Sequence, residues 1–375
     1  MEKQKFNVAG KRESLATKIE KFSNAETYIQ GEFIIKPDYI EKANNGRGYI
    51  SWGADNNFPQ ELINILAAVP EHNAACKKYV DLTTGQGINV PATASNIFRD
   101  FLANKYGTEP IVDVITKMAW DLNLFGGYAL EVVWAKNGKN IAYIKHVPLQ
   151  NLRYSTNEDG WYYSSNWLKP SKYKPVFISK FNPETAKESP NQIYFSKQYF
   201  PGTDVYCLPS YWSGMNWILL EYNIGLFHLS NIRSGFKPSL IFSFGFEPEI
   251  EIQDQIEEKL KERYYGSENA GEVILLFGAD KDNLPEIKEI NPNSNDKQYQ
   301  EMIDIVTQKI MSAWRIPDPS ILGIPTPKGF NNGNELLINE YRLQVSVINQ
   351  LQSFIEKDLN NLASFNNIYE PISLN

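Results

Sequence analysis

The sequence predicts an α+β protein, and three observations carry that prediction. Apolar residues recur at helical spacing up to about residue 124 and then at strand spacing. Two long helical stretches, beginning at Ser210 and Asp296, bracket a short strand–helix–strand–strand segment. A third long helical stretch follows a loop rich in Gly, Pro and Asn. With 375 residues, 42% hydrophobic and 22% charged, the chain has the composition of a folded protein.

The elements follow in order. The first 30 residues alternate Lys, Glu, Ser and Asn without a clear period and read as an arm that needs partners to order. Gly46–Pro59 is a loop by its Gly, Asn and Pro content. Leu62, Ile63, Ile65 and Leu66 predict a short helix ending near Pro70. A second helix is expected from His72 to Thr84, stopped by Gly85-Gln86-Gly87, and two more over Thr93–Lys105 and Glu109–Leu124. The last shows an apolar face of Ile111, Val114, Ile115, Met118 and Leu122. Strands are expected over Tyr128–Ala135 and Ile141–Val147, flanking the turn signal Asn137-Gly138. Further strands are expected at Trp161–Asn166, Val176–Phe181 and Gln192–Phe195.

Ser210 is the expected N-cap of a long helix that stops at Gly235. The insert then reads as strand Leu240–Phe244, helix Glu249–Tyr265, and strands Glu272–Phe277 and Glu286–Ile290. The second long helix starts at Asp296 with the face Tyr299, Met302, Ile303, Val306, Ile310 and Met311, and breaks at Pro317-Asp318-Pro319. Asn334 is the expected cap of the third, from Glu335 to about Ser364.

Composition excludes several classes. Cys76 and Cys207 match no metal or redox spacing, and two thiols make no disulfide framework. Met1–Gly10 has no apolar run of a signal peptide. The most apolar stretch, Tyr211–Ile232, carries Asn216, Glu221, Asn223, His228 and Asn231, too polar a load for a membrane span. Aromatics reach 13%, which favours an assembling protein or simply large aromatic cores.

Net charge is −7, whereas a protein that clamps nucleic acid through phosphates is usually basic. The segment 236–290 holds 13 acidic and six basic side chains, so the whole excess sits there. It is either a solvated face or a field that steers a partner.

No catalytic constellation stands out. There is no P-loop, GxSxG elbow or HExxH motif. Gly85-Gln86-Gly87 lacks the third glycine of a dinucleotide fingerprint and reads as a helix stop. His72, His146 and His228 fall on different predicted elements, so no histidine metal site is expected, and His228 reads as a core or interface histidine. Asp280-Lys281-Asp282 reads as a turn and Asp318 as part of a rigid loop. Catalytic residues, metal and cofactors are therefore all expected to be none.

Several segments in order resemble the bacteriophage portal protein family. Tyr49–Pro59 with Thr83–Ile88 is similar to the start of the portal wing, and Pro209–Trp212 with Asn231–Pro238 to its first stem helix and exit. Gly266–Gly271 leading into Val273–Phe277 resembles the middle of the clip. Asp296–Tyr299, Ala313–Pro317 and Ile321–Gly323 resemble the second stem helix and its end. The resemblance covers about 50 to 364 and rests on order and spacing, not on any single diagnostic motif.

That family implies a portal fold with the following parts: an arm (1–30), a wing (31–209), stem helix one (210–235), a small α/β clip (236–295), stem helix two (296–316), a tunnel-loop region (317–334), and a long wing helix with a short tail (335–375). The crown of larger portals would be minimal or absent, since only Phe365–Asn375 follow the last helix.

The resemblance further implies a ring of twelve at one capsid vertex, in the virion, assembled in the host cytoplasm. The ring would be a channel for packaging and ejecting double-stranded DNA without sequence specificity. Partners would be the terminase large subunit, then the head–tail adaptor, and the major capsid and scaffold proteins; no membrane is implied. Lys328, Gly329, Phe330, Asn331 and Asn332 are the candidate DNA-channel residues. Lys328 offers a charge to phosphate, the asparagines hydrogen bonds, and Phe330 a contact to neighbouring loops. A plain helix–helix connector is the competing reading. Lys259, Lys261 and Arg263 are second candidates, for terminase, adaptor or DNA, against a solvated helix face. Two other functions stay open: a nucleic-acid-processing enzyme of a mobile element, and a non-portal ring adaptor or capsid-associated protein.

Overall fold

The computed structural model describes residues 36–43, 46–233, 239–244, 249, 252, 255, 273–277, 286–290, 296–324 and 333–375. The chain divides into two compact units: Ile35–Tyr222 with Asp296–Asn375, and Met1–Ile34 with Asn223–Asn295.

The first unit opens with a two-stranded ribbon of β1 (Glu41–Ala43) and β2 (Ile50–Trp52). Four helices follow: α1 (Phe58–Ala68), α2 (Pro70–Thr84), α3 (Asn96–Leu102) and α4 (Ile111–Phe125). All five residues of the expected apolar face of α4 are buried, each adding ~1.5–3 kcal/mol by leaving water. Gly126 ends α4 at φ +92°, and a Cβ there would lie 2.5 Å from the Leu208 carbonyl oxygen. The position therefore requires glycine both for its left-handed backbone and for the close approach.

A six-stranded sheet comes next: β3 (Gly127–Trp134), β4 (Ile141–Val147), β5 (Leu152–Tyr154), β6 (Gly160–Tyr163), β7 (Val176–Lys180) and β8 (Asn191–Lys197). Its order is β4-β3-β8-β7-β6-β5, antiparallel except for a short parallel β7–β8 pairing. The β3–β4 turn falls at the predicted Asn137-Gly138, where Gly138 adopts φ +66° and Asn137 Oδ1 accepts the Lys139 N–H at 2.9 Å.

Three departures concern helix ends. Ser210 is not an N-cap, because Ser210–Gly214 is a 3-10 turn and the long helix α5 spans Met215–Arg233. The cause is tertiary: Tyr211 turns inward, donates its hydroxyl to the Leu124 carbonyl at 2.8 Å and stacks on Trp314. The helix over 93–105 shortens to α3, because Ser95 Oγ already caps it by accepting the Phe98 N–H at 3.1 Å. Asn334 likewise lies inside its helix, which begins at Gly333.

α6 spans Asp296–Ala313. Asp318 then caps a 3-10 turn, accepting the Ser320 N–H at 2.8 Å, in line with its reading as a rigid loop. The last long helix is three pieces: α7 (Gly333–Leu343), a π turn (Gln344–Ile348) and α8 (Asn349–Ser364). Asp358 fixes α8 to the sheet by accepting the hydroxyls of Tyr128 at 2.6 Å and Tyr194 at 2.9 Å. The tail returns to α2: Gln86 N–H donates to the Asn375 carbonyl at 3.2 Å, and Asn89 N–H to that of Ser373 at 2.9 Å.

In the second unit, β9 (Ser239–Phe244) is central to a three-stranded sheet. It pairs parallel with β10 (Val273–Phe277) and antiparallel with β11 (Glu286–Ile290). These match the three expected strands within a residue. A parallel pair needs a crossover, as the expected helix over 249–265 would supply, but most of that helix, like Asp280 and Asp282, lies outside the described residues.

Candidate functional site

The two long helices α5 and α6 are bound to the helical layer through one aromatic cluster. α2 contributes His72 and Tyr79, the 3-10 turn contributes Tyr211, and Trp314 follows α6 directly. Trp314 Nε1–H donates to His72 Nδ1 at 3.0 Å. Tyr211 stacks on Trp314 with ring centroids 4.6 Å apart, and His72 meets the Tyr211 ring edge-on, also at 4.6 Å. Tyr79 donates its hydroxyl to the Trp314 carbonyl. Gly214 lets the 3-10 turn close on α6, since a Cβ there would stand 2.4 Å from the Ala313 Cβ. Lys309 lies over the Trp217 ring at 5.9 Å, and the Glu221 carboxylate accepts the Glu71 N–H at 3.3 Å.

The electrostatics of this cluster are those of a fixed joint. Burial pushes the His72 imidazole down to about 3, so it stays neutral and accepts from Trp314. Burial also raises the Cys76 and Cys207 thiols far above the ordinary range, which leaves them without thiolate character.

The sequences of α5 and α6 contain four acids (Glu221, Asp296, Glu301, Asp304) and three bases (Arg233, Lys297, Lys309). Neither sequence carries a positive excess with which to hold phosphate.

Elsewhere, polar groups are engaged structurally. His146 Nε2 lies 2.8 Å from Asp121 Oδ2, which also accepts the Leu149 N–H. Burial raises the Asp121 carboxyl, against the pull of His146 and that N–H. Arg153 is fully buried; Asn56 accepts through both its side chain and its backbone carbonyl, and Trp167 lies under the guanidinium at 5.0 Å. Burial pushes Arg153 down to about 10. Sequence reading missed this residue, because nothing in its local pattern marks a buried cation.

A cleft of about 540 Å³ opens on the sheet between Trp161 and Phe195. Its lysines are occupied, Lys197 by the Tyr206 carbonyl at 2.9 Å and Lys180 by the Tyr154 hydroxyl at 3.4 Å. No group of three metal-ligating side chains occurs among the described residues. No helix among them is long and apolar enough to cross a membrane.

The candidate channel residues Lys328, Gly329, Phe330, Asn331 and Asn332 lie outside the described residues, as do Lys259, Lys261 and Arg263. What is described is both ends of the first group's loop: Gly323 at φ +76° after the 3-10 turn, and Gly333 at the start of α7. Leu337 and Tyr341 of α7 and Val345 of the π turn are exposed to solvent.

No protein-family model matches the chain, and no curated protein matches it in sequence. Solved structures do match. A chain of the neck of the native gene transfer agent (GTA) particle, computed with C12 symmetry, superposes with a TM-score of 0.55. The match covers 84% of this chain and 83% of that one, at 16% identity. A chain of the native GTA virion gives 0.54 over 84% and 82%, also at 16% identity. An HK97-family phage portal protein from Corynebacterium diphtheriae gives 0.51 over 80% of this chain and 88% of that one, at 11% identity. At such identities the likeness is one of fold, and over four-fifths of its length this chain has the fold of the phage portal proteins.

Proposed function

We propose that this chain is the subunit of a closed ring at one vertex of a phage-type capsid, through which double-stranded DNA is packaged and ejected. The observation that carries the proposal is the likeness, over 84% of this chain, to a chain from a neck computed with C12 symmetry, together with the likeness to a portal protein. In this reading the wing is 31–209 with 335–375, the stem is 210–235 and 296–316, and the clip is 236–295. The arm is 1–30 and the tunnel loop lies within 317–334. The ring belongs to the virion. Its clip receives the terminase and then the head–tail adaptor, while the wing meets shell and scaffold.

Physical features support a passive conduit. A ring subunit needs head-to-tail surfaces whose rotation closes. A conduit needs a wall to which DNA does not stick. Counterion release would make a lysine-rich lumen adhesive, whereas α5 and α6 carry no cationic excess. Lys328 with Asn331 and Asn332 then touches the duplex without reading sequence, Gly329 giving the loop its reach and Phe330 packing loop on loop. Lys259, Lys261 and Arg263 serve the docking face.

The rival reading is a nucleic-acid-processing enzyme. Linear and supercoiled duplexes are incubated with the full-length protein and Mg²⁺ or Mn²⁺. The conduit reading expects both substrates back intact, and metal-dependent cleavage would transfer the assignment to the enzyme.

A further inference from the structure

α7 buries one face and exposes apolar side chains on the opposite one. Asn339 and Leu343, one turn apart, face inward and are 9% and 1% exposed. Leu337 and Tyr341 are also spaced four apart but stand two residues away from that pair, roughly 200° round the helix, and Val345 extends the spacing into the π turn. They are 63%, 69% and 51% exposed. Ile338 widens the outer strip at 50%. Charges keep to the flanks: Glu335 and Arg342 on one, and on the other Glu340, which is bonded to Lys78 at 2.7 Å.

A helix at the surface of a monomer has one apolar stripe and an opposite polar face. Isolated exposed apolar residues need no explanation, but a contiguous strip bounded by charge on both sides has the anatomy of an interface core with its polar rim.

We infer that Leu337, Tyr341 and Val345 form a self-association surface that packs against the next copy of this chain. The inference rests on the ring reading above, which also identifies the occupant. α7 begins directly after the loop proposed to face the lumen. Neighbours in a ring come closest near its axis. Helices packed ~10 Å apart, twelve to a circle, close a circumference of ~120 Å and a radius of ~19 Å. A segment flanking the lumen therefore meets the next copy at helix-packing distance. The contact is heterologous, so the strip meets a different patch of its neighbour.

The test compares the full-length wild type with Leu337→Ala/Tyr341→Ala and Leu337→Glu/Tyr341→Glu, by native mass spectrometry over a dilution series. The alanine pair is expected to raise the concentration for half-assembly by about tenfold or more. The glutamate pair is expected to remain monomeric where the wild type is a ring. Far-UV spectra of the alanine pair should match the wild type, since both positions are exposed. Rings of wild-type mass, formed by both variants at the wild-type concentration, would overturn the surface while leaving the ring reading intact. Loss of assembly only together with loss of fold in the alanine pair would overturn it too. A wild type that stays monomeric throughout would overturn the ring reading itself, and this assignment with it.

Discussion

Acid should loosen the joint that ties α2 to Trp314 at the end of α6 through one histidine. His72 is held neutral, with its pKa near 3 by burial, and its Nδ1 accepts the Trp314 indole N–H. In the unfolded chain the same imidazole titrates near ~6.5. The folded pKa is thus depressed below the unfolded one. Between these two values the unfolded chain binds a proton that the native chain refuses. Stability rises with pH across that window and is lost as pH falls through it. At pH 5.5 the expected loss from this group is ~1.4 kcal/mol relative to pH 7.5, and it grows by ~1.4 kcal/mol for each further unit.

Other carboxylates also respond to acid, so the measurement is a difference of differences. His72→Gln keeps a carbonyl oxygen to accept from Trp314 but does not titrate. Thermal unfolding of both proteins is followed by circular dichroism at pH 7.5 and 5.5. The wild type should lose ~2–3 °C more than the variant between the two pH values. Equal pH slopes would refute the account of His72 as a buried neutral acceptor.

Three further outcomes follow from particular contacts. Asp358→Ala leaves the hydroxyls of Tyr128 and Tyr194 without their acceptor and should cost ~2–4 kcal/mol, read as a lower urea midpoint with unchanged slope. Gly126→Ala forces a side chain onto φ +92° and within 2.5 Å of the Leu208 carbonyl oxygen, so a loss of ~1–3 kcal/mol is expected in the same assay. Lys328→Ala should leave the mass of the assembly unchanged while weakening duplex binding and flattening its salt dependence, measured by fluorescence anisotropy.

Much of the architecture was legible because long elements announce themselves. α4 shows its buried face at helical spacing, and Asn137-Gly138 marks its turn by the backbone angles it permits. β9 and β10 are short, mostly apolar runs, and β11 sets Ile287 and Ile290 among charged residues. What escaped was set by tertiary contacts. β1, β2 and β5 are three residues each, too short for a period to show. The 3-10 turn at Ser210 exists because Tyr211 must reach Trp314, a hundred residues on. The π turn that interrupts the last helix has no composition of its own.

The functional reading followed the same division. The order of segments pointed to the portal fold, which the structural likeness supports independently. The joint of His72, Tyr211 and Trp314 was invisible, because its members lie far apart in sequence and each alone reads as an ordinary core residue. The outer strip of α7 was in plain view, but its exposure could be known only once Asn339 and Leu343 were seen facing inward.

The central claim is a closed ring, and the mass of the purified assembly tests it most directly. One chain weighs 42.9 kDa. Native mass spectrometry should therefore find a species of ~515 kDa with closed rotational symmetry in top-view images and a central hole. A protein that remains monomeric or dimeric at every concentration, with or without scaffold, would contradict the account.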